Sequence, residues 1–313
     1  MICLVQVDIL HPLASLEWGQ CAGPPVNVGS AKAVWLKDKV YVGGGSTSGG
    51  TGSRGDAARL YIYSPATDTW TTLDTPVCWF ALTTYHSQLV LVGGSEQFED
   101  ITNKLWTLSE DGQWQETFPP MPAPCGIFAS AVSHGDHLLV ISGYYPKVYV
   151  YNGHHWASAQ HPPERLTDTK STIFNGHWYL MGGGGIVYSC SLDSLLASCQ
   201  PSETSQPSSV WKRLTDVPSG GCYPAVFGNR LVAVGESSLT ITSLHAYSSL
   251  TQSWVHMGDI PVTLLSSDTL CAVLLPSNEL MIVKGQQAFQ FTLKCNFFCY
   301  QFLSLFEQRS WFI

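Results

Sequence analysis

An internal repeat constrains the fold of this 313-residue chain more than any other feature of its sequence. Each unit contains an apolar strand, a tight polar turn, a second strand that ends in glycine, a loop, a third strand rich in tyrosine, and then a tryptophan. The tryptophans recur at intervals of about 40 to 55 residues, which suits a four-stranded blade with one longer unit. They are Trp70, Trp114, Trp156, Trp211 and Trp254. The repeat therefore predicts a ring of small antiparallel sheets.

A second marker, the glycine-terminated strand, follows the same interval. The segments that carry it are 40–45, 89–94, 138–143, 178–185 and 231–235. Glycine is expected where a strand ends in a turn with unusual dihedrals and where a neighbouring backbone approaches closely. The tryptophans are expected to pack between adjacent blades, where their large apolar area is buried. Both residue types are therefore interpreted as structural rather than ligand-binding.

The number of blades follows from both ends of the chain. Segments 270–275, 279–283 and 288–293 have the pattern of three strands with no tryptophan after them, whereas Trp18 precedes the first complete unit. A strand around Trp18 is therefore predicted to complete the last blade, so that no sheet edge stays open. This predicts an all-β, six-bladed propeller over residues 18–294, with an N-terminal extension at 1–17 and an atypical aromatic tail at 295–313.

The run Tyr61, Tyr63, Pro65, Thr67 and Trp70 resembles the third-to-fourth-strand motif of the kelch family. The resemblance implies a kelch-type β-propeller and a protein-binding role, since kelch propellers present substrates to ubiquitin ligases or bind actin. The BTB, BACK and F-box modules of kelch adaptors are not recognised in the sequence. The chain is therefore expected to act alone or through a second protein, as a scaffold or a substrate-recognition subunit.

Charge and composition exclude several other classes of partner. The formal net charge is -8 and the 15 Lys and Arg residues are scattered, so no cationic stripe for nucleic acid is expected. No run reaches the roughly twenty apolar residues that a membrane helix needs. The ten cysteines are dispersed and the N-terminus lacks the basic region of a secretory signal. We expect a cytoplasmic monomer with free thiols.

No catalytic motif is found, so a non-enzymatic protein without a cofactor is expected. His86, His134 and His177 fall in short turns far apart around the ring, which does not indicate a metal site. The enzymatic alternative is a sugar mutarotase-like propeller, which needs little more than a basic residue and a carboxylate in the central pocket. Arg54, Arg165 and Glu164 are its candidates.

Three cysteines occupy equivalent positions at the start of three of the repeats, where kelch adaptors often carry arginine: Cys78, Cys125 and Cys222. A convergent set of thiols would suit a soft metal or an electrophile sensor. The alternative is that each thiol is a small apolar filler, because free cysteine is among the most buried residue types. The sequence leaves both interpretations open.

Loops of variable length indicate where a partner would bind. In kelch propellers the loops from the second to the third strand and from the fourth strand to the next blade share one face, and here they are rich in aromatic and charged residues. The predicted partner-binding residues are Arg54, Trp79, Phe80, Phe98, Tyr144, Tyr145 and Arg165. The longer unit contains residues 191–209, whose polar, proline-containing composition predicts a flexible insertion.

Overall fold

The computed structural model of the chain describes residues 14–47, 57–96, 100–126, 128–143, 147–199, 210–236, 241–261 and 270–295. These residues form six four-stranded antiparallel sheets arranged as the blades of a propeller, together with one two-stranded ribbon. The predicted fold class is confirmed. No helix of these residues is long and apolar enough to cross a membrane.

The first half of the chain contributes β1 (Ala14–Cys21), β2 (Val28–Gly29), β3 (Lys32–Leu36), β4 (Lys39–Gly43), β5 (Ser46–Thr47), β6 (Arg59–Ser64), β7 (Thr69–Asp74), β8 (Ala81–Tyr85), β9 (Gln88–Val92), β10 (Leu105–Leu108), β11 (Trp114–Gln115), β12 (Ser130–His134), β13 (His137–Ile141), β14 (Val148–Tyr151) and β15 (Trp156–Ala159). The second half contributes β16 (Lys170–Phe174), β17 (His177–Met181), β18 (Val187–Ser191), helix α1 (Leu192–Ala197), β19 (Trp211–Arg213), β20 (Gly220–Phe227), β21 (Arg230–Glu236), β22 (Ile241–Ser248), β23 (Ser253–Pro261), β24 (Leu270–Leu274), β25 (Leu280–Lys284) and β26 (Gln287–Cys295). A short 3-10 helix spans Gly183–Gly185.

The first strand of each blade lines the centre of the ring. The inner strands β3, β8, β12, β16, β20 and β24 contact one another in this order, and β24 contacts β3 again. The chain enters and leaves the same sheet, because β1 pairs antiparallel with β26 from Ala14 opposite Cys295 to Cys21 opposite Ala288. Trp18 lies opposite Phe291 in this pairing. The predicted closure of the last blade by the N-terminal strand is thus confirmed.

Tight turns join the first and second strands of the blades. The two central residues of two such turns, Lys37 with Asp38 and His86 with Ser87, all have positive φ, as a type I′ turn requires. This turn matches the right-handed twist of the strands that it connects. The second strands that follow are almost entirely buried, as in the pattern of β9, where every residue after Gln88 is covered by the neighbouring blades.

The tryptophans of the fourth strands connect neighbouring blades. In five blades the indole N–H donates to a backbone carbonyl that ends or follows the outer strand of the preceding blade. These bonds are Trp70 to Ala22 (2.7 Å), Trp114 to Asp74 (2.8 Å), Trp156 to Pro119 (2.8 Å), Trp211 to Gln160 (2.8 Å) and Trp254 to Thr215 (2.9 Å). The tryptophan therefore supplies both apolar area and a directed bond between blades.

The longer fourth repeat contains a helix. Leu192 and Leu195 of α1 are buried and pack in the apolar cluster between blades three and four. The prediction of a flexible insertion over 191–209 was therefore wrong for its first part, because two leucines one helical turn apart give this segment an apolar face to bury. Residues 200–209 lie outside the described part of the chain.

Candidate functional site at the mouth of the central channel

The backbone makes the same left-handed step at one end of the channel in five blades. In four of these blades the residue two positions before the inner strand has positive φ, and in blade five it is the second residue of β20. These residues are Ser30 (53°), Trp79 (56°), Phe128 (71°), Asp168 (48°) and Gly221 (58°). The residue after each of them is buried. Four repeats thus place a side chain at the mouth of the channel by the same local geometry, whereas Gly221 has none.

Trp79 and Phe128 are bulky side chains in a conformation that such residues rarely adopt. A left-handed residue with a side chain costs on the order of 1 kcal/mol or more, and such strain concentrates at functional positions. Both rings line one cavity of about 230 Å³, together with Ser30, Lys32 and Phe80. Phe128 is 38% exposed, and Trp79 is half-buried. The strained backbone holds two aromatic side chains at the opening of this cavity.

Gly44 forms part of the cavity floor and shows why the second strand must end in glycine. Its φ is +77°, and a Cβ atom there would lie 2.1 Å from the carbonyl oxygen of Phe80 in the next blade. No larger residue can replace it without moving the backbone of blade two. The close approach of neighbouring backbones that the glycines indicated is confirmed at this position.

Three lysines of the described residues are buried near the mouth. Lys170 is 1% exposed, and its Nζ lies 2.6 Å from Oδ2 of Asp168. Lys284 is also 1% exposed, and its Nζ lies 3.2 Å from Oε1 of Glu236. Lys32, by contrast, is 6% exposed, and its ammonium forms no ion pair or side-chain hydrogen bond with the described residues. One of the three buried amines therefore lacks an ion-pair partner among these residues.

Lys32 and Lys170 begin the inner strands of blades one and four, which are opposite blades of a six-bladed ring. Burial lowers the pKa of Lys32 to about 7, and repulsion from Lys170 adds to the effect. Burial also lowers the pKa of Lys170, against the attraction of Asp168. The mouth of the channel thus contains an amine whose protonation changes close to neutral pH.

The side chain of Tyr223 spans part of the channel at the level of its mouth. Its hydroxyl accepts the backbone N–H of Ala33 at 3.3 Å, although the two residues belong to blades five and one. The phenol ring therefore crosses in front of the inner strand of blade six. Burial raises its pKa, so the hydroxyl stays neutral.

The cysteines at the start of the repeats are core residues. Cys78 is 1%, Cys125 0% and Cys222 3% exposed. Burial raises the pKa of Cys125 to about 12 and that of Cys222 to about 11. A thiol with a raised pKa and no access to solvent is a poor nucleophile, and the described residues contain no cluster of three or more His, Cys, Asp or Glu side chains placed to hold a metal ion. These observations favour the apolar-filler interpretation over the thiol cluster.

Sequence comparison agrees with this architecture. No family model matches the chain. Over 208 residues the chain is 25% identical to the Kelch-like protein terF of Aspergillus terreus. The alignment covers 60% of this chain and 45% of that protein. The chain therefore fits a kelch-repeat β-propeller. It spans less than half the length of the relative that it matches.

The propeller places the predicted partner-binding residues in different environments. Trp79 lies at the channel mouth, and Arg165 is exposed on the loop that leads to Lys170. Phe80 is 1% exposed and packs with Leu60 and Leu82, so it serves as a wall of the cavity rather than as an exposed contact. Four further predicted residues lie outside the described part of the chain: Arg54, Phe98, Tyr144 and Tyr145.

Glu164, the carboxylate considered for a mutarotase-like site, lies away from the channel of the propeller. Its Oε1 accepts the hydroxyl of Tyr188 at 2.8 Å and pairs with Arg213 at 3.2 Å. Arg213 belongs to β19, the outer strand of blade four. This surface ion pair does not face the central pocket that such chemistry requires.

Sequence reasoning missed Lys32, Phe128 and Lys170. A detectable pattern precedes two of them, because Ser30-Ala31-Lys32 and Asp168-Thr169-Lys170 have the same polar, small, lysine order before an apolar strand. Aligning the repeats on the first residue of the inner strand, rather than on the tryptophans, would have brought these positions together.

Proposed function

We propose that this kelch propeller is a protein-interaction module that binds a partner protein at the mouth of its central channel. In this proposal it acts as a scaffold or substrate-recognition subunit and not as an enzyme. The observation that carries the proposal is the pair Trp79 and Phe128, two aromatic residues held in left-handed conformations at the opening of one cavity.

The surroundings of this pair have the composition of a binding surface. Aromatic residues and arginine dominate interface hot spots, which lie at the centre of a polar rim. Here the exposed side chains of Asp100 and Arg165 lie on other loops of the same face. Glu96 also belongs to that face, and its Oε1 lies 3.1 Å from the Nζ of Lys104. A rigid aromatic centre with charged surroundings favours recognition of another folded protein or peptide.

The test is a double substitution, Trp79→Asn with Phe128→Asn. Asparagine tolerates the left-handed conformation, so the backbone is expected to remain while the aromatic surface is lost. Wild-type and variant protein are compared by quantitative affinity capture from native cells, with the melting temperature as the folding reference. Partners bound by the wild type are expected to fall at least about tenfold on the double variant, as for the loss of central hot spots.

A matched control exists on the opposite end of the propeller. His86 is also an aromatic residue with positive φ, at 46°, but it belongs to the short turn between β8 and β9. His86→Asn is expected to leave capture unchanged. Equal loss in both variants, or capture that survives the double substitution, would contradict binding at the channel mouth.

A further inference from the structure

We propose that the cavity beside Lys32 is a binding site for a small carboxylic acid that carries one aromatic ring, with the ammonium of Lys32 as its counter-charge. This site goes beyond the capture of a protein partner and does not depend on it.

The shape of the cavity limits the ligand to about one ring. Its volume is about 230 Å³, and its walls include the rings of Trp79, Phe80 and Phe128. A dry cavity of about 150 Å³ lined by apolar side chains holds benzene, whereas sites for drug-sized ligands begin at about 300 Å³. The available space therefore suits a single ring with a short side chain, and three aromatic walls favour stacking or edge contacts with it.

The ammonium of Lys32 at one end of the cavity favours an anionic ligand. The buried ammonium of Lys32 has no ion pair with the described residues, although a buried charge normally requires one. The charged and titratable groups that face it are Lys170 and Asp168 of blade four and Cys271 of blade six.

None of these neighbours forms an ion pair with Lys32, although the charge of Asp168 attracts its ammonium. Asp168 already lies 2.6 Å from the Nζ of Lys170. Burial raises the pKa of Cys271 to about 12, so its thiol stays neutral. A ligand carboxylate would give Lys32 a charge-assisted hydrogen bond while its ring covers the apolar walls.

Binding should be linked to protonation. Because burial places the pKa of Lys32 at about 7, the empty site is partly neutral at physiological pH. A bound carboxylate favours the ammonium form and raises that pKa, so binding takes up a proton. Affinity should therefore be highest below pH 7 and fall by up to about tenfold for each pH unit above it.

The probe is 3-phenylpropionate, titrated calorimetrically into the full chain between pH 6 and pH 9, a range in which the acid stays ionised. The neutral 3-phenylpropanamide, which has nearly the same shape, is the ligand control. The wild type is expected to bind the acid at least about tenfold more tightly than the amide at pH 6.5, and this preference should shrink as the pH rises.

Substitutions at two lysines test whether the preference for the acid depends on Lys32. Lys32→Met is expected to remove the preference for the acid and its pH dependence, and Lys32→Gln provides a second neutral variant if the first does not fold. Lys39→Met, at an exposed lysine that begins β4 at the other end of the blade, should bind like the wild type.

Equal affinity for acid and amide, acid binding that survives both neutral variants of Lys32, or no binding of either compound would overturn the proposal. The titration contains no protein partner, so its outcome is independent of the test of partner capture.

Discussion

Two lysines of the channel mouth show how the same residue type affects stability in opposite directions. Lys170 shares its burial with the carboxylate of Asp168, whereas Lys32 has no such partner among the described residues. Removing a buried unpaired charge relieves a desolvation cost, but removing one member of a buried pair leaves the other uncompensated. Substitution of Lys32 and substitution of Lys170 are therefore expected to change stability in opposite directions.

Lys32→Met should raise the melting temperature near neutral pH and less so in alkali. The pKa of Lys32 is about 7 in the folded protein and close to its ordinary value of 10.5 in the unfolded chain. Between these values the unfolded chain binds the proton and the folded protein does not, so stability rises with pH across this window. The cost of Lys32 is therefore fully present below about pH 7.

We expect a gain on the order of 2 kcal/mol for Lys32→Met at pH 6.5, and a much smaller gain at pH 10. Lys170→Met should instead lose roughly 1–3 kcal/mol, because the partly buried carboxylate of Asp168 is left without its partner. Thermal unfolding of the three proteins across this pH range measures both effects. A gain for Lys32→Met that does not depend on pH would contradict the lowered pKa.

Individual elements are joined across blades by the tryptophans of the fourth strands. Trp211 donates its indole N–H to the carbonyl of Gln160 at 2.8 Å and is 6% exposed. Trp18 occupies the equivalent position in the last blade, but it is 44% exposed and contacts Phe289 edge to face at 5.8 Å. The indole N–H of Trp18 forms no hydrogen bond with the described residues. Substitutions of Trp211 and Trp18 can therefore show what the indole hydrogen bond contributes to stability.

Trp211→Phe should lower the free energy of unfolding by about 1 kcal/mol or somewhat more, since it removes a directed bond and part of a buried ring. Trp18→Phe should change it by less than about 0.5 kcal/mol, because the ring is largely exposed. Chemical denaturation at one pH compares the variants. Equal destabilisation by both substitutions would show that the indole bond contributes nothing.

At the scale of the whole molecule, stability depends on closure of the ring by β1. This strand pairs with β26 along its entire length, and β26 would otherwise present an open edge. Because each blade packs on both neighbours, an incomplete last blade weakens its contacts with blades five and one as well. The N-terminal strand therefore stabilises parts of the propeller that it does not touch.

Deletion of residues 1–20 should lower the melting temperature by roughly 10 °C or more and promote association through the exposed edge of β26. Calorimetry measures the first effect, and light scattering at several protein concentrations measures the second. Deletion of residues 1–10, which leaves β1 intact, is the control and should behave like the full chain. An unchanged melting temperature after the longer deletion would mean that β1 does not hold the ring closed.

The architecture could be read from the sequence because its markers are local. Each blade repeats the same markers: a tryptophan equivalent to Trp70, glycines after the second strand and a tyrosine-rich third strand. They recur because every blade packs on its neighbours in the same way. The position of Trp18 before the first complete unit was enough to predict closure. Helix α1 was missed because its two buried leucines stand next to a polar, proline-containing segment that dominated the composition.

The candidate site could not be read in the same way, because its residues come from different repeats. Lys32 and Lys170 are far apart in sequence and meet only because the ring places blades one and four opposite each other. Trp79 and Phe128 share a cavity because consecutive blades are adjacent, and their left-handed backbone has no signature in the residue types themselves. Local repetition determined the propeller. Only closure of the ring decided which side chains face one another across its mouth and which amine is left without an ion pair among the described residues.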